Sequence, residues 1–294
     1  MRVVAIVLAL LSSVLWGVAD FAGGTASRRL PALVVVLASQ AAGLAAAAVA
    51  ATVAGAWGEP LGYLPWAIGA GLVGASGLVV FYRALAVGTM GVVSPIAALG
   101  VIVPVAVGLA TGHWPSAVVG AGLVLAVAGV VASSGPERAH GRSLRPVLLA
   151  SVAAVCFGAT LLFIDGGAGH SPLMTMVAMR VASVVPLGLL ALRARSRRAA
   201  GDRSASGAPA ADAAHAPRAW AVVILAGLFD VSANLAFAVA STKGALAVVA
   251  ILGSLYPAVT VLLARIIHAE RLTRLQQAGV AVALVGVALI AGWS

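Results

Sequence analysis

Charge is scarce in this chain: only 9% of its 294 residues are charged, and eight of them are acidic. So little polar surface cannot coat a soluble globule, which excludes a water-soluble domain. Cysteine is nearly absent as well. The lone Cys156 excludes an intrachain disulfide framework and a cysteine-based metal site, and its apolar setting fits a small buried hydrophobe. The histidines, His113, His140, His170, His215 and His268, are scattered over gaps and run ends, so no metal site is expected. Catalytic motifs are missing: there is no phosphate-cradling Gly-Lys-Ser/Thr loop, no His-Glu-x-x-His and no Gly-x-Ser-x-Gly elbow. Neither enzymatic chemistry nor a bound cofactor is expected, and uphill work would draw on an ion gradient rather than ATP. Lysine is reduced to Lys243, because seventeen of the eighteen basic residues are arginine, and the formal net charge is +10. Such an excess suits nucleic acid or an anionic surface. The arginines, however, sit mostly in gaps between apolar runs, as on the flanks of membrane helices, which decides against nucleic acid.

What fills the chain instead is hydrocarbon, 62% of the residues being hydrophobic. A helix needs roughly 17 to 25 mainly apolar residues to span a bilayer, and open sheets leave backbone groups unsatisfied there. Ten such runs are expected, at about Val3 to Gly24, Ala32 to Ala56, Leu64 to Ala86, Gly91 to Ala110, Ser116 to Ala132, Val147 to Asp165, Pro172 to Leu192, Ala219 to Ala240, Gly244 to Ile267 and Leu275 to Gly292. The fold class is therefore an all-α membrane protein. Met1 and Arg2 before an apolar run resemble a signal peptide, but Trp16, Gly17 and Asp20 interrupt the run and no small-residue cleavage site follows.

The runs repeat. At an offset of 153 residues, Thr242, Gly244, Ala250, Leu252, Gly253 and Pro257 fall on Thr89, Gly91, Ala97, Leu99, Gly100 and Pro104. At 157, Ala278, Gly279 and Gly286 fall on Ala121, Gly122 and Gly129, and at 141, Val155, Gly158, Pro172 and Val177 fall on Val14, Gly17, Pro31 and Val36. A duplication of this length organises the whole chain. It divides into residues 1–134, a cytoplasmic connection at 135–146, and residues 147–294, with a flexible cytoplasmic linker at 195–218 inside the second half. An odd number of spans per half makes the two copies run oppositely through the membrane, around a central cavity. The arginines agree: Arg28, Arg29, Arg138, Arg142, Arg145, Arg193, Arg195, Arg197, Arg198, Arg203, Arg218, Arg271 and Arg274 occupy gaps after odd-numbered runs. The other gaps offer Glu59, His113, Asp165, His170 and Lys243. The arginine-rich side is expected in the cytoplasm, with both termini outside.

Ionisable groups inside hydrocarbon are costly, so each is a candidate site. Asp20 shares one helical face with Ser13, Trp16 and Gly17, by i, i+3, i+4, i+7 spacing, and that face should look into the bundle. It is also near enough to its helix end to reach water, Arg28 or Arg29 and act as an anchor. Asp230 lies mid-run with Asn234, Phe237 and Ser241 on its stripe, and a mid-bilayer carboxylate must be paired, hydrated or protonated. Arg180 is the mid-membrane cation. Arg180 and Asp230 are expected to share the central cavity, either as a mutual pair or as separate holds on a zwitterionic or anionic ligand; a purely structural ion pair is the alternative. The repeat supplies no matching charges: Asp20 corresponds to Leu161, Asp230 to Gly77, and Arg180 to Ser39 beside Gln40. The cavity is thus symmetric in frame and asymmetric in chemistry, which suits an oriented ligand better than a symmetric pore. Trp16, Tyr82 and Tyr256 can serve as aromatic walls or as packing. Pro104 and Pro257 fall at matching places inside runs, where each removes a backbone donor and permits a hinge or a plain kink.

In this order the motifs resemble a known family. Leu15-Trp16-Gly17, the proline-initiated second helix of each half, Arg180, Arg83-Ala84-Leu85 through Pro104 to Gly129, Leu255-Tyr256-Pro257, Glu270-Arg271-Leu272 and the closing Gly279 to Gly286 helix are similar to ten-helix members of the drug/metabolite transporter superfamily with two EamA-type domains. The resemblance covers nearly the whole chain. It implies a basket of ten helices around a central substrate cavity, alternating access, and small metabolites such as amino acids or amphipathic compounds as cargo, often exported. From the residues themselves, a bacterial-type plasma membrane and a monomer or an oligomer are expected, and Asp230 and Asp20 would be the natural proton carriers if an ion gradient drives transport. A passive channel and a non-transporting structural or regulatory subunit are the other readings. Three departures stand out. The first half has Thr111-Gly112-His113-Trp114-Pro115 in place of Glu-Arg-Leu, it lacks a match for Arg180, and the basic gaps fall on the opposite alternation from many relatives.

Overall fold

The computed structural model describes residues 2–112, 116–133, 144–199, 217–268 and 274–293. Among them the chain is helical throughout: α1 (Arg2–Ser27), α2 (Ala32–Ala54), α3 (Leu64–Val87), α4 (Met90–Ala98), α5 (Ile102–Ala110), α6 (Ala117–Ser133), α7 (Arg145–Ala168), α8 (Pro172–Ala199), α9 (Pro217–Ser241), α10 (Leu246–Gly253), α11 (Tyr256–Ile267) and α12 (Arg274–Trp293). Proline starts many of these helices, standing at the cap of α2, in the first turn of α3, α7 and α11, and at the first residue of α8 and α9. There its missing N–H removes nothing from the ladder. Gly55 closes α2 in the left-handed region at φ 66°, giving its N–H to the carbonyls of Ala51 and Thr52.

Eight stretches among the described residues are long and apolar enough to cross a membrane: Val3–Ser27, Ala32–Ala54, Leu61–Val87, Met90–Ala110, Arg145–Ala168, Pro172–Ser196, Pro217–Ser241 and Leu246–Ile267. The protein is therefore a multi-pass membrane protein. α6 and α12, at the fifth and tenth expected runs, pack against one another. Two expectations are corrected. The linker expected at 195–218 is helical at both ends, since α8 continues to Ala199 and α9 begins at Pro217. At 28 residues α8 is about 42 Å long. It outruns the ~30 Å hydrocarbon layer, and arginine is a good enough helix former to carry the ladder into water. Asp165, expected as the end of its run and counted with the gap residues, lies inside α7, which continues to Ala168. The Glu270-Arg271-Leu272 connection and residues 200–216 and 134–143 lie outside the described residues.

The interior is built from small side chains and the exterior from large ones. Buried positions are dominated by alanine, whereas Val7, Leu10, Val49, Val53, Leu148, Val155, Leu189 and Ile266 are exposed. In lipid this costs nothing, because acyl chains solvate leucine as well as a core does; association rests on close packing instead. Glycine makes that packing possible. A Cβ on Gly158 would overlap the Gly100 carbonyl, one on Gly71 the Met179 carbonyl, and one on Gly227 the Ser39 carbonyl.

These crossings pair the halves reciprocally. α1 packs on α9 as α7 packs on α3, α2 on α9 as α8 on α3, and α1 on α10 and α11 as α7 on α4 and α5; α2 and α8 meet each other. Both proline-bearing runs are broken at matching points. A 3-10 turn at Leu99–Val101 separates α4 from α5, and Ser254 and Leu255 separate α10 from α11. Pro104 and Pro257 lie just after the breaks, where proline cannot donate to the carbonyl four residues back, which belongs to Gly100 and Gly253 respectively.

Candidate functional site in the membrane interior

Between the halves lies a cavity; the atom-free space in and around it, open solvent included, is about 750 Å³. α1, α3, α4, α7, α8 and α9 and the two helix breaks all contribute to its wall. One apolar cluster, including Ala47, Ala67, Met176, Phe237 and Leu252, lies toward the ends of α2 and α9. A second, including Val35, Phe81, Leu85, Met90 and Ala264, lies toward the arginine-rich ends. The cavity sits between them.

Arg180 stands in the third turn of α8 and is buried, with 1% exposure. Its Nη1 contacts Asp230 Oδ2 on α9 at 2.8 Å and donates to Gln40 Oε1 on α2. Ser183 Oγ, one turn along α8, donates to the same Gln40 oxygen at 3.0 Å. Gln40 Nε2 is 3.4 Å from Asp230 Oδ2, and Asn234 Nδ2 donates to Asp230 Oδ1 at 3.0 Å. Both carboxylate oxygens are thus served by donors, and one charge pair ties α2, α8 and α9 together. Gly43 leaves room for the guanidinium: a Cβ there would lie 3.4 Å from Arg180 Nε. Arg180 Nε and Nη2 are buried without a hydrogen-bond partner. Of the two arrangements open from sequence, the geometry is that of a mutual pair.

Asp20 is different. It is buried, at 7% exposure, and lines the cavity with Trp16, as the stripe on α1 requires. Among the described residues no hydrogen bond or ion pair reaches its carboxylate. Leu161, its repeat counterpart on α7, also lines the cavity. Tyr256, from the first turn of α11, joins the wall; its hydroxyl is buried and unpartnered. Trp16 is backed by Phe237, with ring centroids 5.6 Å apart. Tyr82 is fully buried with its hydroxyl over Gly23, outside the cavity wall. Pro104 and Pro257 do not line the cavity either, but the breaks before them do, through Gly100, Val101, Gly253 and Ser254.

Sequence reasoning brought Trp16, Asp20, Gln40, Arg180, Asp230, Asn234 and Tyr256 to one cavity, and all seven line it. It missed Ser183, Phe157 as a wall, Thr160 and Met179. Only two left a usable trace: Ser183 lies one turn from Arg180, and Phe157 is the repeat counterpart of Trp16. The arrangement offers charged, polar and aromatic groups suited to binding and orienting a ligand, and among the described residues no three His, Cys, Asp or Glu side chains gather as a metal site.

The cavity's composition predicts two modest effects. Asn234→Ala removes one donor from Asp230 and is expected to lower stability by about 1 kcal/mol, measured as thermal unfolding of the purified protein. Tyr256→Phe removes a hydroxyl that bonds nothing, so unfolding should be unchanged within about 0.5 kcal/mol; a marked loss would place a structural partner on that oxygen.

Comparison with known proteins places this geometry. No curated protein matches the chain. A solved crystal structure, titled only as that of a protein, matches it with a TM-score of 0.74 at 17% identity, covering 98% of this chain and 96% of the other, which is a likeness of fold. The EamA-like transporter family matches residues 144–292, half of the chain, and takes in α7 to α12 with Arg180, Asp230, Asn234 and Tyr256. With membrane-length helices, a shared fold and this match, the chain belongs to the EamA-like transporter family of the drug/metabolite transporter superfamily.

Proposed function

We propose that the chain is a monomeric secondary carrier that exports small organic metabolites, amino-acid-like or amphipathic, across a bacterial-type plasma membrane. Ten helices work as two inverted five-helix repeats, α1 to α6 and α7 to α12, rocking about the cavity. The observation that carries this reading is a cavity built by both halves, holding buried charges and flanked by an apolar cluster on each side. Alternating access needs such a centre, with one cluster parting at a time. The reciprocal helix contacts and matched breaks support the inverted repeat. Asp20 and Asp230 are the groups on which protons would ride.

Reconstituted vesicles test this with a mixed metabolite panel, with and without a pH gradient. Saturable flux is expected, and accumulation driven by the gradient identifies protons as the coupling ion. Linear, unsaturable flux points to a channel; silence across the panel sinks the carrier.

Orientation is tested separately. In a Cys156→Ala background, Gly58→Cys, exposed after α2, should react with an impermeant thiol reagent on intact cells, and Arg29→Cys, exposed after α1, should not. The reverse pattern would put the arginine-rich side and both termini the other way round. The hinges are tested by Pro104→Ala and Pro257→Ala: membrane accumulation should hold while turnover falls severalfold, and unchanged turnover removes the hinge role.

A further inference from the structure

Three ionisable side chains line the cavity, and their charges do not cancel. Arg180 and Asp230 form a pair at 2.8 Å, and the two guanidinium nitrogens outside that pair are buried. The charge of Arg180 is already met by Asp230, so a ligand carboxylate would have to compete with that pair. The remaining group is Asp20, buried and, among the described residues, without a hydrogen-bond or ion-pair partner. Around the same space stand the rings of Trp16, Phe157 and Tyr256, the last with an unpartnered hydroxyl. A carboxylate outside the ion pair, in a wall that also carries three aromatic rings, is a site for a cation: the carboxylate supplies charge and the rings supply quadrupole attraction.

We infer that the cavity selects an organic cation, a protonated amine or quaternary ammonium carried on an apolar body, with the positive group held by Asp20 against Trp16, Phe157 and Tyr256. This rests on the reading of the cavity as the transport site, and it narrows the cargo: an anionic or zwitterionic solute held by Arg180 is not what the geometry favours. The apolar body lies along Leu78, Ala97, Val101 and Leu161, which complete the wall.

The test is equilibrium binding to the purified protein in lipid nanodiscs, using three probes of similar size: phenyltrimethylammonium, phenethylammonium and phenylpropanoate. Both cations are expected to bind saturably, and phenylpropanoate at least roughly tenfold more weakly, the scale of one charge-assisted hydrogen bond. Asp20→Asn should weaken both cations by roughly 10- to 100-fold, and Asp20→Glu should restore most of the loss. Equal or tighter binding of phenylpropanoate, absence of cation binding, or unchanged affinity in Asp20→Asn overturns the inference. The probe series on the unaltered protein decides even if Asp20→Asn does not fold. Because binding needs no flux, the two readings fail separately. Cation binding without vesicle transport sinks the carrier and leaves this site standing, whereas anion flux indifferent to Asp20→Asn sinks the site and leaves the carrier.

Discussion

Arg180→Gln is expected to remove most of the protein from the membrane and to lower its unfolding temperature sharply, whereas Arg180→Gln combined with Asp230→Asn is expected to recover much of the loss. The reason is the asymmetry of buried ion pairs. In the intact protein Asp230 receives Arg180 at 2.8 Å, with help from Gln40 and Asn234. Without Arg180 the carboxylate loses its counter-charge in the membrane interior, and breaking a buried pair from one side costs about 3–5 kcal/mol. Removing both charges leaves two amides and the Gln40 and Asn234 hydrogen bonds, and replacing a whole buried pair is often near neutral. Thermal unfolding of the four variants of this cycle, read as aggregation-free protein after heating, measures the coupling. Additive losses would mean that the pair is not energetically coupled. The same four proteins then separate structure from function: if the double variant is stable but transports nothing, the charges act on the solute or the rocking motion, and if it transports normally they are a structural strut.

Gly227→Ala and Gly158→Ala are the second pair of large effects. A methyl group at Gly227 runs into the Ser39 carbonyl of α2, and one at Gly158 into the Gly100 carbonyl at the break after α4. Neither obstacle is a side chain that can swing away. The helices must separate, and overpacking against rigid backbone falls at the upper end of the usual range, about 3 kcal/mol. Both positions also adjoin the site, since Ser39 precedes Gln40 and Gly158 lines the cavity, so transport should fall further than protein level. Gly188→Ala is the control. Nothing lies within 4 Å of a Cβ there, and alanine in a helix is worth about 0.5–1 kcal/mol over glycine, so its stability should rise slightly. If Gly227→Ala behaves like Gly188→Ala, α2 and α9 are not packed as closely as their glycine implies.

Much of the fold was legible because a bilayer imposes few rules. The apolar runs marked the spans, the spacing of Ser13, Gly17 and Asp20 marked an inward face that is indeed buried, and the repeated Gly-Pro pattern marked where two runs break. Helix ends were less legible. Arg195 and its neighbours read as a linker because charge was taken as the end of the span, but a helix can continue into water once its ladder is running.

By itself the sequence determined a multi-pass helical protein and the short set of polar residues that hydrocarbon would not tolerate without a reason. Each of these is a property of one helix in one solvent, written in composition and period. Only the tertiary structure decided which of those residues meet. Gln40 reaches Asp230 across 190 residues and Arg180 across 140, and Asp20 is left alone among rings. Those outcomes depend on how closely helices cross at Gly43, Gly158 and Gly227, and a crossing distance is a relation between surfaces that no single helix encodes.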